Sequence, residues 1–200
     1  LWAGAAAGPA QLQGQPPAFG LTLYDAAVAL ARHLITNMPD ADGSSGGRGG
    51  TSADLRPALE LAEDAAVIEL GCGQALVSMI LADAFPYLRR VVATDGHEGV
   101  LRLANRNLAR NLEDAEVEVA LARLRWGEDA DTAKVLDINS GRHYDAVFGA
   151  DVAYDVQVGR SLVQTILAVA RDGALVCIAQ EQRAGTLGEA AASFKKELRE

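Results

Sequence analysis

Val67-Ile68-Glu69-Leu70-Gly71-Cys72-Gly73-Gln74-Ala75-Leu76-Val77 begins as an apolar run too short for a helix and ends in the first turn of one, with two glycines between. A buried strand that passes through a Gly-x-Gly turn into a helix opens a strand–helix–strand unit. Crossovers of that kind are right-handed and set their strands parallel. The glycines allow backbone angles, and a close approach by a ligand, that a Cβ would block.

The same alternation continues outward from this stretch. Ala66 to Leu70 is the strand and about Ala75 to Ala84 the helix. Arg90 to Thr94 reads as a second strand, Gly99 to Asn111 as a second helix, and Val117 to Ala122 alternates as a third strand. Tyr144 to Ala150 is a fourth strand with a helix from about Gly159 to Ala170 behind it. Ala174 to Ala179 is a fifth, and Leu187 to Glu200 a last amphipathic helix. Upstream, Tyr24 to Ile35 carries apolar residues at three- and four-residue spacing, the signature of an opening helix. Asp129 to His143 reads as a longer loop that alters the substrate entrance. The expected fold is α/β, a doubly wound, Rossmann-like, mainly parallel sheet with helices on both faces. Residues 1–20, rich in Ala, Gly, Gln and Pro, read as a flexible N-terminal segment. Residues 21–200 read as a single domain with a Gly/Ser-rich insertion at about 40–52, and no internal repeat is visible.

Bulk properties narrow the function classes. A length of 200 residues suits one domain with a sizeable core. A formal net charge of -9 argues against direct nucleic-acid binding, which calls for a basic face. Cys72 and Cys177 each sit in an apolar segment and read as reduced core residues rather than a disulfide framework. No apolar run reaches the roughly 18 residues of a membrane span. The first residues lack a basic stretch, so no signal peptide is expected, and the default compartment is the cytoplasm or nucleus. The chain opens on Leu1 rather than Met, which marks a fragment or a trimmed chain.

In a sheet of this topology the ligand crevice lies at the carboxyl ends of the strands, so the residues after each strand carry the functional reading. After the first come Glu69, Gly71, Cys72 and Gly73. After the second come Asp95, placed to accept hydrogen bonds from two vicinal ribose hydroxyls, and Gly96. A charge-assisted bond of that type is worth roughly 1.5–3 kcal/mol. Dinucleotide and adenosylmethionine folds share this arrangement. Two details favour the methyl donor. Leu76 stands where dinucleotide sites usually have Gly or Ala, and Glu69 suits an ammonium and a sulfonium better than a pyrophosphate. His97 and His143 show no metal-ligand spacing, so no metal is expected.

On these residues Val67 to Val77 resembles the first motif of the seven-β-strand methyltransferases. Within them the chain resembles the family 16 (methyltransferase-like 21) protein-lysine methyltransferases, from about Gly20 to Arg183. Gly20 to Leu30 is similar to that family's opening helix, where Tyr24 stands in place of a Trp that covers the donor. Thr94 to Glu98 with Asn105 and Asn107 resembles its ribose-binding turn. Trp126-Gly127 resembles a pair lying beside the adenine, and Asp151-Val152-Ala153-Tyr154, after Ala150, resembles its Asp-x-x-Tyr.

The resemblance implies S-adenosyl-L-methionine as methyl donor, S-adenosyl-L-homocysteine as product, and a protein substrate presenting a lysine. It implies cofactor binding by Tyr24, Glu69, Gly71, Cys72, Gly73, Asp95, Gly96, Trp126 and Ala150. Asp151 would orient the amine, Tyr154 shape the lysine channel, and water take the proton. It also implies a C-terminal β-hairpin beside the fifth strand, which the sequence to Glu200 lacks. Other readings stand beside these. Trp126 as a core aromatic, Tyr24 as a packing residue and Asp151 as a turn former fit the same residues. A methyltransferase for a small molecule or another side chain, and a non-catalytic adenosylmethionine-binding module, fit the same donor motifs, and a nicotinamide oxidoreductase fits fewer of them.

Overall fold

The computed structural model describes residues 20–36, 61–181 and 186–198. The sequence readings for residues 1–19 and for the insertion at about 40–52 lie outside them. The elements run α1 (Asp25–Thr36), β1 (Ala66–Leu70), α2 (Leu76–Ala84), β2 (Arg90–Asp95), α3 (Glu98–Asn111), β3 (Val119–Arg123), α4 (Asp129–Ile138), β4 (Tyr144–Ala150), α5 (Val156–Val169), β5 (Ala170–Ala179) and α6 (Thr186–Glu197).

The strands form one sheet in the order β3-β2-β1-β4-β5, and every pairing is parallel. The period of two along β1 separates two helix layers. Val67 packs with Leu30 and Leu34 of α1 and with Val77 and Leu81 of α2. Ala66, Ile68 and Leu70 pack with Val135 of α4, Leu162 and Ile166 of α5, and Phe194 of α6. With helices on both faces, β1 is buried throughout and reads as an unbroken apolar run but for Glu69. In α3 the buried residues Val100, Ala104 and Leu108 recur every four positions and leave Arg102, Arg106 and Arg110 exposed.

β3 starts at Val119 rather than Val117 and α5 at Val156 rather than about Gly159, and two further readings change more. Asp129 to His143 is mostly helix rather than loop. Its apolar stripe is thin, with Val135 its buried aliphatic residue, while acids in the first turn favour the helix N-terminus. Tyr144 anchors this helix to β4 by donating its hydroxyl to the Val135 carbonyl. β5 also begins earlier, at Ala170 opposite Tyr144, with an irregularity before Leu175 pairs with Ala146. Gly173, at φ 73°, makes the bend that hid this start. Among the described residues β5 is a sheet edge, with Leu175 and Val176 exposed.

Candidate functional site

The order of the strands reverses at β1, and the turns that leave β1, β2, β3 and β4 meet around one cavity of about 760 Å³. That size falls within the usual range for small-molecule sites. Every residue expected to bind the cofactor or take part in catalysis lines it: Tyr24, Glu69, Gly71, Cys72, Gly73, Asp95, Gly96, Trp126, Ala150, Asp151 and Tyr154, while Asn105 and Asn107 do not. His97 stands at the rim, and His143 lies elsewhere on the surface.

The β1 turn is wound through three left-handed residues, Gly71 (φ 67°), Gly73 (φ 52°) and Ala75 (φ 63°). It is held by the Cys72 N–H on the Thr94 carbonyl at 2.7 Å and the Thr94 hydroxyl on the Glu69 carbonyl at 2.7 Å. A Cβ on Gly71 would stand 2.9 Å from Val152 Cγ1 and 3.3 Å from the Trp126 ring, so only glycine fits. Glu69 is 2% exposed and accepts from the Ser78 N–H at 2.9 Å and the Ser78 hydroxyl. Burial pushes its carboxyl up to about 7, against the pull of those two bonds.

Asp95 joins the first two turns. One oxygen accepts from the Gly73 N–H at 3.3 Å and the other from the His97 N–H at 2.9 Å. Burial raises its carboxyl and these backbone donors lower it, with the balance above the ordinary aspartate value. The segment from Gly20 to Tyr24 packs against the β1 turn at Gly73 and also lines the cavity. The Gln74 amide donates to the Leu21 carbonyl at 3.0 Å, and the Asn107 amide to the Gln74 carbonyl at 3.0 Å. This chain of amides ties the segment to the β1 turn and α3.

The β3 and β4 turns supply the aromatic wall, with the Trp126 and Tyr154 ring centroids 6.3 Å apart and the rings tilted by 44°. Burial pushes the Tyr154 phenol up, so it stays neutral near pH 7 and is no ready base. Asp151 is buried and left-handed, at φ 56°, a conformation aspartate tolerates better than most residues. Its N–H donates to the Ala179 carbonyl at 2.8 Å. Gln180 clamps the same turn. Its amide N–H donates to Asp151 Oδ1 at 2.6 Å, and its carbonyl oxygen accepts from the Ala153 N–H at 3.0 Å. Sequence reading missed Gln180, although it follows the fifth strand as directly as Asp95 follows Thr94. Ser78, buried behind Glu69, left no comparable signal.

Comparison with known proteins agrees with this geometry. A family model described as lysine methyltransferase matches residues 11–200. The chain belongs to the lysine methyltransferase family. Over 109 residues this family member is 36% identical to the protein-lysine N-methyltransferase EFM3 of Chaetomium thermophilum, covering 53% of its own length. It spans 31% of the length of that relative.

Solved structures show the same fold. The rRNA methyltransferase AviRa of Streptomyces viridochromogenes is 15% identical with a TM-score of 0.54, covering 85% of this chain and 79% of that one. An O-methyltransferase of Bacillus cereus in complex with SAH is 15% identical with a TM-score of 0.50, covering 88% and 70%. A lysine methyltransferase family member calls for a donor of the S-adenosylmethionine type, and the cavity's residues fit one. The side-chain-free floor at Gly71 and Gly73 admits a close ligand backbone, Asp95 offers a carboxylate to hydroxyls, and Trp126 gives a flat apolar wall.

Proposed function

We propose that this chain transfers a methyl group from S-adenosyl-L-methionine to a lysine side chain of a protein substrate. The observation that carries the proposal is the meeting in one cavity of two half-sites. The Gly71–Gly73 turn with Asp95 forms one, and Asp151 with Tyr154 at the end of β4 forms the other. Glu69, Asp95, Trp126 and the Tyr24 segment hold the donor in this reading. When bound, the donor supplies a methyl group on a positively charged sulfur.

The protein's part is placement and proton handling. A lysine amine has a reference pKa near 10.4, so its neutral form at pH 7 lies about 4–5 kcal/mol uphill. Asp151, its carboxylate fixed by Gln180, orients the arriving amine. Tyr154 shapes the lysine channel and excludes water, and that desolvation favours the neutral amine that can attack. Water accepts the proton, since Tyr154 is already a neutral phenol.

The test uses tritium-labelled donor, a cell extract as substrate source, and mass spectrometry of the labelled bands. The chain is expected to label lysine, and Asp151→Asn to lower the rate by roughly 10²-fold while donor affinity holds, as for loss of an orienting group. Label confined to residues other than lysine, or an Asp151→Asn variant as fast as the parent, would contradict the proposal.

A further inference from the structure

Two polar side chains lie buried in the helix layer behind the cavity without reaching it. Asp131 of α4 is 2% exposed and Thr165 of α5 is 1% exposed. Asp131 is covered by the Arg125 and Lys134 side chains rather than sunk in the core, while Thr165 is a polar group at a depth where an unmade hydrogen bond is costly. Each sends at least one bond to residues 124–127, which follow β3, and Asp131 also takes a longer one, at 3.5 Å, from the Lys134 ammonium. Asp131 Oδ2 accepts from the Arg125 guanidinium Nε at 2.8 Å and from the Arg125 backbone N–H at 3.3 Å. The Thr165 hydroxyl accepts from the Gly127 N–H at 2.9 Å and donates to the Ser161 carbonyl at 2.8 Å. Gly127 is left-handed, at φ 82°, and a Cβ there would stand 3.2 Å from the Ser161 hydroxyl, so the turn lies tight against α5. The residue between the two anchors is Trp126, whose ring lies over Gly71 and beside Tyr154.

We propose that Asp131 and Thr165 are positioning residues for the methyl donor: by gripping the chain on either side of Trp126 they fix the ring that stacks against the donor's adenine. This rests on the reading of the cavity as a donor site. Neither residue lines the cavity, so neither acts by contact. A ring pinned through both neighbouring residues is already in its binding orientation, and the donor need not pay the entropy of ordering it.

Calorimetric titration of the whole chain with S-adenosyl-L-homocysteine tests this, using near-isosteric Asp131→Asn and Thr165→Val. Each is expected to weaken binding about tenfold, the size of a typical coupling between residues in one network. Thr165→Ser, which keeps the hydroxyl, should bind as the parent does. The decisive comparison repeats both variants in a Trp126→Ala background, where the further loss should vanish. In a Trp2→Phe background, leaving Trp126 as the remaining tryptophan, both variants should shift its ligand-free emission.

Equal losses with and without Trp126 would overturn the inference, as would unchanged affinity with only the unfolding temperature lowered. A parent chain that binds no homocysteine derivative would instead end the donor reading, and this inference with it. A parent that binds while its variants bind equally well ends the inference alone.

Discussion

At Glu69 a carboxyl is buried at the end of β1, 2% exposed, and its charge is opposed by its surroundings. It titrates at about 7 in the fold against an ordinary value of 4.5, so folding favours the protonated form. The stability it contributes is therefore full below the unfolded value and is lost as pH rises through about 7. The loss totals about 3 kcal/mol. Urea unfolding at about pH 5 and pH 8 should show that fall in the parent and a much flatter profile in Glu69→Gln. Parallel profiles would mean that the carboxyl is solvated.

Gly71 gives a second prediction at this scale. Gly71→Ala meets both a left-handed φ of 67° and a contact of 2.9 Å with Val152. It should cost about 1–3 kcal/mol in urea unfolding, with donor binding lost in calorimetry. A variant as stable as the parent, still binding the donor, would show that the turn can open.

Among the elements, legibility followed burial. β1 and β4 could be read to the residue because both are central strands, apolar from end to end but for a few positions. α4 could not, since its covered residues include Asp131, held under Arg125 and Lys134, and a charged residue at such a position breaks the apolar pattern by which helices are recognised. The start of β5 was hidden by Arg171, Asp172 and Gly173, polar or small residues that fall in the irregularity between the Ala170 and Leu175 pairings.

The candidate site was legible for a related reason: it is made by residues that follow the strands, so knowing the strands gave Asp95, while Trp126 and Asp151 came from the family resemblance. Gln180 belongs to the same set through β5. Gln180→Ala removes the acceptor of the Ala153 N–H and one donor to Asp151. Stability should fall by about 1–2 kcal/mol, as for an unpaired buried amide. In steady-state kinetics kcat should drop while the KM for the donor stays close to the parent's. A rise in donor KM with kcat unchanged would place Gln180 on the donor side instead.

At the scale of the molecule, an all-parallel sheet with helices on both faces brings residues as distant in sequence as Tyr24, Asp95 and Gln180 to one end. The sequence alternation carried that architecture, because each crossover returns the chain to the same end of the sheet to start a parallel strand. It could not carry what sits behind the cavity. The Thr165 anchor comes from α5, far along the chain from Gly127, and Asp131, though near Trp126 in sequence, sits on a helix that the apolar pattern did not show.

The net charge of -9 agrees with a cationic group as the guest, although the acids in the cavity, Asp95 and Asp151, carry that argument more directly. The most direct test of the central claim is calorimetric titration of the chain with S-adenosyl-L-methionine, S-adenosyl-L-homocysteine and NAD, beside Asp95→Ala. Saturable binding of both adenosyl ligands, no binding of NAD, and loss of roughly 1.5–3 kcal/mol of affinity in the variant is the expected result. A folded chain that binds neither adenosyl ligand, or an Asp95→Ala variant that binds them unchanged, would contradict it.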